Sequence, residues 1–171
     1  MHKLDLSADW VMTATGGPVP AEILGKPFAT SVPATSHTVL LEAGAIPDPY
    51  LERNEEVLNW FKHATWRFAR ELTIEPLADG ERADLVFDGI DTVATVALGG
   101  AELASVRNMH RSYRLNVDQF ADGTARELGV DFGSALAYAH HETERLGHRP
   151  CTYPQPFNMV RKMACSFGWD W

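Results

Sequence analysis

Apolar residues in this chain recur at every second position, in short runs separated by glycine, proline, asparagine and aspartate. That spacing sends successive side chains to opposite faces, as in a strand with one buried face. Leu4 and Leu6 alternate with polar neighbours ahead of Trp10-Val11-Met12, which reads as a first strand followed by the turn Gly16-Gly17-Pro18. Residues 66–72 alternate aromatic or apolar with charged side chains. Residues 83–87 and 92–98 form two further runs, and Gly99-Gly100 joins the second to 101–106 as a hairpin. Residues 111–117 and, after the turn Asp122-Gly123, 127–132 complete the set.

Three stretches break this period. Residues 28–41 carry β-branched side chains with Pro27 and Pro33, which predicts extended structure broken by bends and not a helix. Residues 44–59 are rich in Pro, Asp, Asn and Glu; Pro47 and Pro49 fix a loop in which Asp48, Asn54 and Glu55 cap turns, and 51–61 supplies one or two helical turns. Residues 136–146 are the best helix, ended by Gly147 and stopped by Pro150. Short strands joined by turns predict a mostly β protein, an antiparallel sandwich of jelly-roll type with one or two short helices. No repeat or linker divides the chain, so residues 1–171 read as one domain.

A net charge of −8 and a sequence pI near 5.3 argue against nucleic acid or an anionic membrane as partner, because both are recognised by clustered cations. The opening Met1-His2-Lys3-Leu4-Asp5-Leu6 is not a secretory pattern and no run is apolar enough to span a bilayer, which predicts a cytoplasmic protein with Cys151 and Cys165 as free thiols. His140, Glu144 and His148 fall four apart, the spacing of metal ligands on one helical face. With Glu142, Arg145 and Arg149 among them, and His148 beyond Gly147, they read instead as a solvated polar face, and neither metal nor cofactor is expected. Asn108 and His110 read as hydrogen-bonded loop residues. Arg161-Lys162 reads as an anchor for the tail, with Arg161 bridging to a carboxylate.

The chain's last residues, Trp169-Asp170-Trp171, set two indoles around a carboxylate. Such a group suits a sugar, whose C–H faces pack on indole while the carboxylate accepts from adjacent hydroxyls; two strand-core indoles with Asp170 in solvent is the plainer alternative.

Five separated motifs extend this picture. They are residues 43–50 (Ala-Gly-Ala-Ile-Pro-Asp-Pro-Tyr) with Asn54-Glu55; residues 85–92 (Leu-Val-Phe-Asp-Gly-Ile-Asp-Thr); Asn108-Met109-His110; Phe132-Gly133-Ser134-Ala135; and Phe157-Asn158 through Arg161-Lys162 to the ending Cys165-Ser166-Phe167-Gly168-Trp169-Asp170-Trp171. In order and spacing they resemble the amino-terminal, galactose-binding-like jelly-roll domain of glycoside hydrolase family 2 β-mannosidases. The resemblance implies that both catalytic glutamates lie on a later (β/α)₈ barrel, outside this chain, so that the 171-residue piece is noncatalytic by itself. It implies that Trp169 walls, and Asp170 hydrogen-bonds, the pocket for a terminal non-reducing β-D-mannose, with the parent's remaining domains and terminal β-mannosides as partners. The family continues past this motif with at least one more strand, so the resemblance also implies a truncated jelly roll whose unfinished edge invites self-association. Two alternatives stay open: a free-standing carbohydrate-binding module, and the same domain of a family 2 β-galactosidase or β-glucuronidase.

Overall fold

The computed structural model describes residues 2–151, 154–163 and 166. Among the described residues eight strands carry the fold: β1 (Trp10–Gly16), β2 (Pro27–Thr30), β3 (Thr65–Thr73), β4 (Asp84–Phe87), β5 (Val93–Leu98), β6 (Ala101–Arg107), β7 (Tyr113–Asn116) and β8 (Ala125–Phe132). They form a six-stranded sheet in the order β2-β1-β3-β8-β5-β6 and a two-stranded sheet β4-β7, every pair antiparallel. The predicted hairpin is present: Gly99 and Gly100 both hold positive φ, 57° and 83°, the backbone that a tight β5–β6 turn requires.

The alternation read from the sequence sorts the large sheet's two faces. Met12 opposes Phe68, Phe68 opposes Val130 and Val130 opposes Val96, so one apolar row crosses four strands on the inner face. Trp10, Trp66, Leu72, Ala94, Leu98 and Leu128 are buried in the same layer. Leu85 of the small sheet, with Ile90 and Val117 beside it, closes the core from the other side. The next row faces outward and is polar: Thr13 opposes Arg67, Arg67 opposes Asp131, Asp131 opposes Thr95 and Thr95 opposes Ser105. A one-residue slip would exchange the two rows, which fixes the register.

Helix α1 (Ser36–Glu42) occupies part of the stretch expected to be extended. A capping box overrides the proline and β-branched signals. The Thr35 hydroxyl accepts from the Thr38 backbone N–H at 3.1 Å, and the Thr38 hydroxyl accepts from the Thr35 N–H at 3.0 Å, after which Val39 and Leu40 are buried in the core. Helix α2 (Asn54–Val57) and a 3-10 turn (Asn59–His63) are the helical turns expected in 51–61. Asp48 Oδ1 accepts from the Tyr50 N–H and Asn54 Nδ2 donates to the Asp48 carbonyl, so both hold turns as read. Helix α3 (Ala135–Leu146) starts at Ser134, whose hydroxyl caps Ala137 N–H, and ends at Gly147.

Candidate functional site

Three of the five motifs meet at one end of the sandwich. The β4–β5 loop (88–92), the β6–β7 loop (108–112) and residues 160–163 pack together there. Ile90 and Thr92 are buried under the loop. Gly89 passes so close to the β6–β7 loop that a Cβ would sit 3.4 Å from the Met109 carbonyl. Asn108 shapes that loop twice, its Oδ1 accepting from the His110 N–H at 2.9 Å and its carbonyl accepting from the Tyr113 hydroxyl at 2.9 Å. This is the structural role read for Asn108; of His110 only the backbone N–H takes part, and among the described residues its ring makes no hydrogen bond.

The segment leading to the chain's last residues lies across these loops. Asn108 and Arg161 form a parallel β-bridge, with the Met109 N–H donating to the Arg161 carbonyl at 3.1 Å. The Met163 N–H points at the Met109 thioether, 3.1 Å away. Lys162 makes an ion pair with Asp91, whose other oxygen accepts from the Thr92 hydroxyl. Val160 is buried, and a 3-10 turn (Phe157–Met159) packs on α3. The basic pair therefore anchors the tail as expected, but the roles differ from the expectation: Lys162 bridges to a carboxylate, while Arg161 contributes its backbone. A β-bridge turns alternate side chains to opposite sides, and here it turns Lys162 toward Asp91. The partner, Asp91, lies inside a quoted motif, so the sequence held it without marking its role.

Trp169 and Asp170, the residues expected to face a sugar, lie outside the described residues, as do Trp171 and Cys165. Cys151 is a free thiol whose Sγ donates to the Gln155 carbonyl at 3.3 Å. Among the described residues no group of His, Cys, Asp and Glu is arranged to hold a metal. His140 instead hydrogen-bonds Gln155 Oε1 at 2.9 Å and ties α3 to the tail.

The reading of α3 as carrying a wholly solvated polar face needs one correction. Glu142 is only 6% exposed because it faces the sheet, one residue over from its exposed histidine neighbours. Its carboxylate is held by Arg145 at 2.6 Å, with His141 Nδ1 3.4 Å away. The Arg145 guanidinium, and then His141, pull its pKa below the usual carboxylate range.

On the sheet's outer face Arg67 lies over Gly129. Nη1 sits 2.6 Å from Asp131 and Nη2 2.6 Å from Glu127, and a Cβ on Gly129 would meet Nη2 at 2.7 Å. These two carboxylates, Glu127 first, raise the Arg67 pKa further. On the inner face of the same strand, beside Trp66, His37 stacks on Phe61, centroids 3.7 Å apart, and Trp60 continues the aromatic group.

An antiparallel two-sheet sandwich, with its loops and tail gathered at one end, defines a β-sandwich domain of galactose-binding-like build. The chain belongs to the glycosyl hydrolase 2 galactose-binding domain-like family, whose sequence model matches residues 10–171. It is 31% identical over 153 residues to the beta-mannosidase of Capra hircus, covering 82% of this chain and 17% of that protein. It is 32% identical over 145 residues to beta-mannosidase B of Thermothelomyces thermophilus, covering 81% and 17%. The crystal structure of the beta-D-mannosidase from Dictyoglomus thermophilum superposes over 100% of this chain and 20% of that one, with a TM-score of 0.85 and 26% identity. The beta-D-glucuronidase from the same organism shares the fold, with a TM-score of 0.55 at 13% identity over 79% of this chain and 20% of that one. The chain thus spans about a sixth of the length of the curated relatives it matches.

Proposed function

We propose that this chain is the noncatalytic amino-terminal domain of a retaining β-mannosidase, supplying scaffold and part of the pocket for a terminal, non-reducing β-D-mannose. The single observation that carries this reading is the agreement of its relatives, beta-mannosidases at about 30% identity over most of the chain. The glucuronidases share the fold at lower identity, which weighs against the other family 2 activities.

Retaining glycoside hydrolysis needs two carboxyl groups about 5 to 5.5 Å apart, one a nucleophile and one an acid/base. In this reading both stand on a barrel domain elsewhere in the longer protein. The tail anchored by Lys162 and Asp91 carries Trp169 and Asp170 to that barrel. Asp170 accepts hydrogen bonds from mannose hydroxyls remote from the reacting carbon, Trp169 walls the pocket, and neither transfers a proton. Contacts of this kind raise the rate by holding the sugar in its reactive pose. In this reading residues 1–171 are one jelly-roll domain of that longer protein, and the enzyme works in the cytoplasm.

The test is hydrolysis of nitrophenyl β-D-mannoside, galactoside and glucuronide by the protein in which this chain is joined to its catalytic domain. Preferential turnover of the mannoside supports the reading. Preference for either other glycoside overturns it in favour of another family 2 activity, and saturable sugar binding by a protein with no catalytic domain would make the chain a carbohydrate-binding module.

A further inference from the structure

Two of the quoted motifs supply one residue each to the ion pair between Asp91 and Lys162. Every residue of the run 160–163 is held to the loops beneath it. The Val160 side chain is buried, and the Arg161 carbonyl accepts from the Met109 N–H at 3.1 Å. Lys162 pairs with Asp91, and the Met163 N–H faces the Met109 thioether at 3.1 Å. The first two contacts fix the line along which the segment crosses the loops. The last two fix the direction in which it leaves them. A thioether is a weak acceptor, so the ion pair is the firmer hold at that exit.

Asp91 is built as a fixed post. Its second oxygen accepts from the Thr92 hydroxyl, and Thr92 is only 3% exposed, which roots the carboxylate in the core under the β4–β5 loop. Gly89, earlier in that loop, lies against the Met109 carbonyl, so the two loops that present these contacts are packed on each other. Lys162 reaches the post with a side chain only 20% exposed, held against the surface and not in open water.

Asp170 stands eight residues beyond Lys162, a length of chain that spans at most about 28 Å. An error in the exit direction grows with the distance travelled, and a misplacement of about 1 Å at a reacting sugar costs about a hundredfold in rate. The kinetic consequence follows from populations. With the exit freed, only a fraction of the molecules hold the tail where it meets the sugar, and the apparent affinity falls by that fraction. At saturating substrate the sugar itself draws the tail into place, so turnover is restored.

We infer that Asp91 and Lys162 are positioning residues: their ion pair sets the apparent affinity for the terminal sugar by fixing the exit direction of the chain that carries Trp169 and Asp170. The inference rests on the pocket role proposed for those last two residues. Neither Asp91 nor Lys162 touches substrate or transfers a proton.

Steady-state kinetics with nitrophenyl β-D-mannoside test this, on the protein in which this chain is joined to its catalytic domain. Asp91→Asn should raise KM by up to about fivefold, the shift that a partly screened ion pair can supply, with kcat held within about twofold. Asp91→Lys, which sets two cations together, should raise KM further, and adding Lys162→Asp to it should bring KM back toward the natural value. Added salt should raise the KM of the natural protein and leave that of Asp91→Asn flat, because screening acts only on an intact pair. A merely structural role predicts another pattern, a smaller active fraction seen as a lower kcat at unchanged KM. Lys162→Met breaks the pair from its other side and carries the test should Asp91→Asn disturb the loop. The inference is overturned by an unchanged KM in both variants, by a loss confined to kcat, or by no recovery on exchanging the charges. Asp170→Asn separates it from the reading beneath it. If that variant lowers kcat/KM while the Asp91 and Lys162 variants keep the natural KM, the positioning inference falls alone. If Asp170→Asn has no effect, or the natural protein does not turn over the mannoside, the proposed pocket falls and this inference with it.

Discussion

Lys162 sits on the carboxylate of Asp91, which ties the tail to the β4–β5 loop 71 residues earlier in the chain. The lysine side chain is 20% exposed and the aspartate 40%, so water screens the pair only in part. The backbone bonds at Asn108 and Met109 hold the segment's path, and the ion pair adds a second attachment one residue on.

Lys162→Met removes the pair and leaves Asp91 still hydrated. A partly screened ion pair contributes about 1 kcal/mol at most, which in a domain of this size is about 2 to 4 °C of thermal midpoint. Thermal unfolding followed by circular dichroism should show a drop in that range. Exchanging the charges, Asp91→Lys with Lys162→Asp, should recover most of it, whereas either reversal alone should cost more than Lys162→Met.

Arg67 can cross β8 only because Gly129 has no side chain there. Gly129→Ala places a methyl against Nη2 at a distance the guanidinium must vacate, an overpacking that costs about 1 to 3 kcal/mol. In an Arg67→Ala background the guanidinium that crowds the methyl is gone, so the cost of the same change should fall. Chemical denaturation of the two single variants and the double variant measures this as a coupling energy; simple additivity would mean that the contact is not made.

His37 gives the domain a pH dependence. Burial against Phe61 pushes its pKa below the ordinary 6.5, so the unfolded chain takes up a proton more readily than the folded one. The stabilisation from the neutral, stacked ring is complete above pH 6.5 and is lost as pH falls from there toward the folded-state value. The thermal midpoint should therefore fall on acidification from neutrality more steeply for the natural chain than for His37→Phe, which keeps the stack and cannot titrate. Parallel profiles would contradict the assignment.

The strands were legible because each buries one face, so Trp66, Phe68 and Leu72 announce their common side by spacing alone. Helix α3 announced itself through its length and Gly147. Helix α1 did not, because its seven residues are too few to show a period, and its decisive signal is the reciprocal Thr35–Thr38 pair and not the run that follows. The burial of Glu142 was hidden for a different reason: a charged residue on a helix is read as solvated unless the partner that neutralises it, here Arg145, is already known to stand over it. The convergence of residues 88–92, 108–112 and 160–163 at one end is a property of the topology, and the quoted motifs named most of its members without showing that they meet.

The most direct test of the central claim is the kcat/KM for nitrophenyl β-D-mannoside of the enzyme that carries this domain, with Asp170 intact and with Asp170→Asn. The substitution keeps the side chain's size and removes the charge that, in the proposed pocket, accepts from the sugar's hydroxyls. If Asp170 orients the terminal mannose, kcat/KM falls about a hundredfold or more, the loss expected when a reacting sugar is misplaced by about 1 Å, while the thermal midpoint stays where it was. An unchanged kcat/KM would remove Asp170 from the pocket and with it the role proposed for this domain in catalysis.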